Sequence, residues 1–249
     1  MPAPDYFVIV GAQRCGTTYL SRLLDEHPEI EMAKPTRPEP KFFLDDARYA
    51  RGLAFYESQY FSDPPTRVRG EKSTSYIESE LAAQRIKSMM PGAVVVVVLR
   101  DPVQRAVSNY RFSAQEGYED LPLELALRSS DADSRPWDPS RFSVSPYAYL
   151  PRGRYVEYLE CYARHIPREQ IHVVFFEELV AGKQVVAALY GRLGVDSGFR
   201  PLGRGAVANA SSGDDESIDP RLASELRDYF ADSDRRLAEF LGRLLPWRQ

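Results

Sequence analysis

The stretch Gly11-Ala-Gln-Arg-Cys-Gly16-Thr17-Thr18 concentrates two glycines, one arginine and two hydroxyls within eight residues. A glycine-rich turn that opens a helix presents backbone N–H groups and the positive end of the helix dipole to an anion, most often a phosphate. Gly11, Gln13, Arg14, Cys15, Gly16, Thr17 and Thr18 are therefore candidate anion ligands. The first and sixth positions match a Walker A loop. Thr17 stands where that motif requires lysine, and the only cation in the loop is Arg14. The bland alternative is a turn that merely joins a strand to a helix, and the convergence of two hydroxyls and a guanidinium on it argues for a ligand instead.

A second pattern separates the phosphate chemistries. The apolar run Ala93–Leu99 ends in Arg100, whereas an NTPase ends the corresponding strand in an aspartate that serves Mg²⁺. Asp101 is adjacent but precedes Pro102, the pairing of a helix N-cap with a first-turn proline. Arg100 thus points to a ligand with an additional anionic group, and the Ser108 hydroxyl on the following helix can join its guanidinium around one phosphate.

These residues need elements to hold them. Tyr6–Val10 reads as a buried strand stopping at Gly11, and Thr17–Asp25 carries helical spacing at Tyr19, Leu20, Leu23 and Leu24. Ala93–Leu99 is apolar on both alternating faces, as in a central parallel strand, and feeds a helix from about Val103 to Ser113. Ile171–Phe176 reads as a third strand, with helices predicted at Tyr155–His165 before it and Val185–Leu193 after it. A final amphipathic helix is expected from Pro220 to Leu245. The repeated strand-then-helix order implies an α/β, P-loop-like three-layer fold, a central parallel sheet flanked by helices, in one domain over 1–249. Between Gly117 and Tyr149 the periodicity mostly fails and turn formers accumulate, so 117–149 is expected to form an acceptor-side lid.

Composition narrows the class. Hydrophobic residues make up 43% and charged residues 27%, which excludes fibrous and wholly disordered chains. Lys and Arg number 32 against 36 Asp and Glu, a net charge of −4, so neither nucleic acid nor an anionic membrane is an expected partner. No apolar stretch approaches the roughly 20 residues of a membrane span. Two cysteines, three scattered histidines and no leader-like N-terminus point to a cytoplasmic setting and to no metal site.

Together, the loop Gly11–Thr18 and the segment Arg100-Asp-Pro-Val-Gln-Arg-Ala-Val-Ser108-Asn-Tyr resemble the two donor-binding elements of sulfotransferases that use 3′-phosphoadenosine 5′-phosphosulfate (PAPS). The resemblance implies that the first loop holds the 5′-phosphosulfate, and that Arg100 and Ser108 hold the 3′-phosphate. It further implies transfer of a sulfuryl group to a hydroxyl, or secondarily an amine, of a carbohydrate or other small-molecule acceptor. Glu39-Pro-Lys-Phe-Phe43 is similar to a segment of the heparan-sulfotransferase subgroup in which a glutamate is the general base, which maps that role onto Glu39. Pro38 departs from the lysine that often precedes this glutamate. Glu71-Lys72-Ser-Thr-Ser-Tyr76 also matches the family, and by that match Lys72 contacts the donor sulfonate or bridging oxygen. Arg14 replaces the loop lysine of most relatives. Its guanidinium can stabilise a leaving phosphate but cannot release a proton. Arg204 and Gly205 are a loose match to a late donor-contacting loop.

Glu71 and His27 are the alternative bases, and Cys15 reads as a small loop residue. The competing functions are a P-loop nucleotide kinase or NTPase, disfavoured by Thr17 and Arg100, and a non-catalytic nucleotide-binding relative. Acceptor specificity is expected in the loops around Glu39, Tyr56–Phe61 and 117–149.

Overall fold

The computed structural model describes residues 4–128, 135–182, 184–203 and 218–248. In chain order the elements are β1 (Tyr6–Gly11), α1 (Thr17–Asp25), β2 (Ile30–Met32), α2 (Asp46–Tyr49), α3 (Gly52–Tyr60), β3 (Val68–Lys72), α4 (Glu80–Met89), β4 (Val94–Leu99), α5 (Pro102–Gln115), α6 (Leu123–Arg128), α7 (Tyr155–Ala163), β5 (Ile171–Phe175), α8 (Phe176–Val180), α9 (Val185–Leu193) and α10 (Pro220–Leu241). The chain groups into two compact units, Met1–Leu99 with Glu160–Ala208 and Arg100–Leu159 with Asn209–Gln249.

The first unit is built on a five-stranded sheet of order β2-β3-β1-β4-β5 with every neighbouring pair parallel. β4, all Val and Leu, is buried along its whole length, as a strand covered on both faces must be. The order reverses at β1, which has β3 on one side and β4 on the other. In open parallel sheets the crevice beyond the carboxyl ends at such a reversal is where ligands bind, and β1 delivers Gly11 there. β3 has the sequence Val-Arg-Gly-Glu-Lys and carries no apolar alternation. Register places Gly70 opposite Phe7, and a Cβ on Gly70 would lie 2.1 Å from the Phe7 ring, so only glycine admits that ring across the strand pair.

In the second unit α5, α6 and α10 enclose a core of Val103, Ala106, Val107, Leu127, Tyr149, Leu150, Leu222, Leu226 and Phe230. Gly153 sits where a Cβ would be 2.5 Å from Phe230.

Two expectations change. Tyr56–Phe61 is not a loop; most of it belongs to α3, which turns Tyr56 and Tyr60 inward. The stretch 117–149 holds more packed structure than its composition implies. It contains α6, and the buried Glu119 carboxylate accepts from Arg135 (2.7 Å), Tyr149 Oη (2.9 Å) and Leu121 N (3.0 Å). Polar partners rather than an apolar repeat do the packing there, which is why periodicity failed to register it. Residues 129–134 of this stretch lie outside the described ones.

Candidate active site

The loop after β1 begins with the Ala12 N–H donating to the Val98 carbonyl at 2.9 Å. Arg14 (φ 65°) and Gly16 (φ 85°) then take left-handed backbone. Gly16 is the N-cap of α1 and supplies no side-chain cap. A Cβ there would lie 2.4 Å from the Phe176 ring, so both φ and space require glycine. A helix leaves its opening N–H groups without intrahelical partners. At α1 no N-cap side chain covers them, which is the arrangement that receives an anion. Thr17 is buried and Thr18 half-buried in that first turn. The Cys15 thiol is fully buried and directed at the Gln13 carbonyl, in keeping with a small packing residue.

β3 brings Lys72 opposite Ile9 of β1. Its ammonium pairs with Glu39, and both side chains are mostly shielded, 8% and 18% exposed. Glu39 also accepts from the Thr74 N–H (2.8 Å) and from the Thr74 hydroxyl (3.0 Å). The two residues assigned by resemblance alone thus form one ion pair, and a carboxylate with a cation and two donors is held in a fixed orientation. Thr74 is the partner that sequence reasoning missed, although it lies inside the motif that supplied Lys72.

Two clefts open beside this pair. One, about 460 Å³, is lined by Thr18, Arg22, Lys34, Arg37 and Lys72 among others. The second, about 280 Å³, is lined by Glu39, Pro38, Pro40, Arg48, Phe55 and Tyr60 among others. Lys34 pairs with Asp25.

The alternative bases are both occupied. Glu71 is completely buried and accepts hydroxyls from Tyr76 (2.5 Å), Ser73 (2.7 Å) and Tyr56 (2.9 Å). Burial pushes its carboxyl up to about 6, against the pull of those hydroxyls. His27 is 1% exposed; its Nδ1 accepts from the Glu29 N–H and its Nε2 faces the Asp196 carbonyl, each at 3.1 Å. These partners assign a neutral ring with its proton on Nε2, wedged against Tyr190 and Phe199.

In the second unit, Arg100 is half-buried and its carbonyl accepts from Tyr155 Oη at 2.8 Å. Asp101 caps α5 through the Val103 N–H (3.0 Å) and forms a two-pronged pair with Arg227 (2.8 and 2.5 Å). The cap reading of Asp101 therefore holds. Ser108 follows two turns into α5. Arg204 and Gly205 lie outside the described residues. Among the described residues no group of His, Cys, Asp and Glu could hold a metal ion, and no helix is long and apolar enough to cross a membrane.

Residues 4–188 match the model of the sulfotransferase domain family. The chain belongs to that family of enzymes. It is similar over its whole length to the crystal structure of a sulfotransferase from Alicyclobacillus acidocaldarius, with 27% identity, a TM-score of 0.80 and full coverage of both chains. A curated relative is the bifunctional heparan sulfate N-deacetylase/N-sulfotransferase 1 of Caenorhabditis briggsae, 30% identical over 182 residues, which cover 71% of this chain but 21% of that protein. Another is heparan sulfate glucosamine 3-O-sulfotransferase 5 of Mus musculus, 24% identical over 260 residues, 96% of this chain and 73% of that one. The family inferred from the two motifs and the parallel α/β fold inferred from the repeated strand-then-helix order are borne out.

Proposed function

We propose that this sulfotransferase domain moves a sulfuryl group from PAPS to a hydroxyl, or secondarily an amine, of a carbohydrate or other small-molecule acceptor, with Glu39 as general base. The observation that carries the proposal is the Glu39–Lys72 pair, a shielded carboxylate and ammonium each lining one of two adjoining clefts. When bound, the donor supplies the sulfuryl group: a bond forms between acceptor oxygen and sulfur, and the bond from sulfur to the 5′-phosphate oxygen breaks. Glu39 takes the acceptor proton. Lys72 and Arg14 lower the energy of charge developing on the transferred and leaving oxygens. The α1 N-terminus with Thr17 and Thr18 is assigned to the phosphosulfate, and Arg100 with Ser108 to the 3′-phosphate. The residues present suit that donor, since an open helix cap, two hydroxyls and guanidinium groups are all anion partners.

The cleft beside Lys72 also favours an acceptor that carries negative charge. Arg22 and Arg37 are exposed in it, and among the described residues no carboxylate pairs with either. In a chain of net charge −4, such a local cationic patch has the sign to draw in a carboxylated or sulfated saccharide.

Glu39→Gln is the test. It keeps the shape and one accepting oxygen but removes the basic oxygen, so transfer from labelled PAPS to glucuronic acid–glucosamine oligosaccharides should fall by about 10²- to 10⁴-fold. Calorimetric binding of adenosine 3′,5′-bisphosphate should change by no more than about twofold, the size of effect expected for a group that does not touch that ligand. Near-native turnover would refute Glu39 as the base.

A further inference from the structure

Glu71 has no exposed surface, yet its carboxylate organises the segment that presents Glu39. An ionised carboxylate only accepts hydrogen bonds, whereas a hydroxyl donates one and accepts two. Ser73 Oγ and Tyr76 Oη both give their protons to Glu71 Oε1, at 2.7 and 2.5 Å. Their lone pairs are thereby turned toward the chain that follows Glu39. Ser73 Oγ accepts the Lys41 N–H at 2.9 Å, and Tyr76 Oη accepts the Phe43 N–H at 3.1 Å. Between these two anchored amides sits Phe42, fully buried. Lys41 itself adopts left-handed backbone, φ 50°, a conformation that a non-glycine residue keeps only where its surroundings impose it. Glu39, two residues earlier, is gripped by Lys72 and Thr74. Both grips on the 39–43 segment therefore issue from residues 72–76, and the hydroxyl half of them takes its direction from Glu71.

We propose that Glu71 is a positioning residue for sulfuryl transfer, fixing two hydroxyl relays that hold the backbone of 41–43 and so keep Glu39 over its partner Lys72. The proposal rests on Glu39 being the base. The groups facing Glu71 are Tyr56 and Tyr60 from α3, Tyr76 from the turn after β3, and Glu39 itself. Burial raises the Tyr56 and Tyr76 phenols well above their usual range, so both remain donors. A proton on Glu71 would compete with three hydroxyls already aimed at two oxygens. A proton on Oε1 displaces Ser73 or Tyr76 and releases an amide of the 41–43 segment, whereas one on Oε2 displaces only Tyr56, which holds no amide there. Turnover should therefore fall as pH drops through about 6, where Glu71 takes up its proton, while donor affinity stays level.

The experiment compares the full chain with Glu71→Gln, Tyr76→Phe and Ser73→Ala. It reads hydrogen exchange, turnover against pH with the oligosaccharide acceptor, and binding of adenosine 3′,5′-bisphosphate. In Glu71→Gln, exchange at Lys41 and Phe43 should accelerate about tenfold or more while the β4 amides are unchanged, the signature of local rather than global opening. Its turnover should fall about 10- to 100-fold, as misplacement of a reacting group does. The acid limb near pH 6 should vanish, and bisphosphate affinity should stay within about twofold, as for an interaction the ligand does not share. Tyr76→Phe and Ser73→Ala should each reproduce part of this, and they carry the test if Glu71→Gln does not fold. Unchanged exchange at residues 41–43, or an acid limb that persists without Glu71, overturns the proposal. Native turnover in both relay variants together with collapse in Glu71→Gln would make Glu71 the base and overturn the Glu39 reading as well. A mild Glu39→Gln, with exchange at 41–43 responding as expected, removes Glu39 as the base and with it the positioning role in transfer, and leaves Glu71 only as the anchor of the 41–43 backbone.

Discussion

Two strand-to-helix turns in this molecule start alike and end differently. β1 runs into α1 through Gly16, and β4 runs into α5 through Asp101. At the second, the N-cap is a carboxylate that accepts the Val103 N–H and is itself neutralised by Arg227. At the first, the N-cap is a glycine in left-handed backbone with no side chain to offer. Both helix starts favour negative charge for the same reason, the uncompensated N–H groups and the dipole. One supplies the anion from its own chain, whereas the other leaves the place for a ligand. A single residue at the cap decides whether the helix start is closed by its own chain or left open.

The comparison is most severely tested at Gly16. In Gly16→Ala the new Cβ would lie 2.4 and 2.8 Å from ring atoms of Phe176, at φ 85°. Left-handed strain and overpacking together should cost about 2–4 kcal/mol in urea unfolding. Gly182, at φ 70° with nothing within 4 Å of where a Cβ would stand, is the control: Gly182→Ala should lose only about 1 kcal/mol, the backbone part alone. Equal losses would mean that Phe176 does not enforce glycine at the turn between β1 and α1.

The next effect separates ligand contact from scaffold within the second turn. Removing a charge-assisted contact to a bound anion should cost about 1.5–3 kcal/mol. Arg100→Ala should therefore weaken adenosine 3′,5′-bisphosphate binding far more than AMP binding in calorimetry. Equal weakening of both ligands would remove the 3′-phosphate from Arg100.

The same contrast explains what the sequence made legible. β1, β4 and β5 stand out because buried parallel strands are runs of Val, Ile and Phe, and α1, α5 and α9 follow from spacing and caps. β3 does not stand out. Three of its five residues are charged, and each charge is matched by partners outside the strand: Arg69 by Glu57, Glu71 by three hydroxyls, Lys72 by Glu39. Alternation reports burial among apolar atoms and is blind to a strand whose burial rests on ion pairs and hydroxyls. The candidate site divides along the same line. Its glycine loop is local and readable from spacing. The union of Glu39 with Lys72 and Thr74 is made by chain segments more than thirty residues apart, so only the family resemblance suggested the first two. Thr74 and the Glu71 relays required coordinates.

The smallest effect is the one expected at the capped turn itself. Asp101→Asn keeps an oxygen for the Val103 N–H but loses the charge facing Arg227. That guanidinium is 34% exposed, so solvent screens the pair and the loss should be about 1 kcal/mol in urea unfolding. Asp101→Ala removes the cap as well and should lose about 2 kcal/mol. Neither should alter adenosine 3′,5′-bisphosphate binding, because the carboxylate serves α5 and Arg227 and not a ligand. A drop in binding of about tenfold, roughly 1.4 kcal/mol, with stability intact in Asp101→Asn would show that the Asp101 cap itself meets the ligand, and the distinction between the filled cap and the open one would fall.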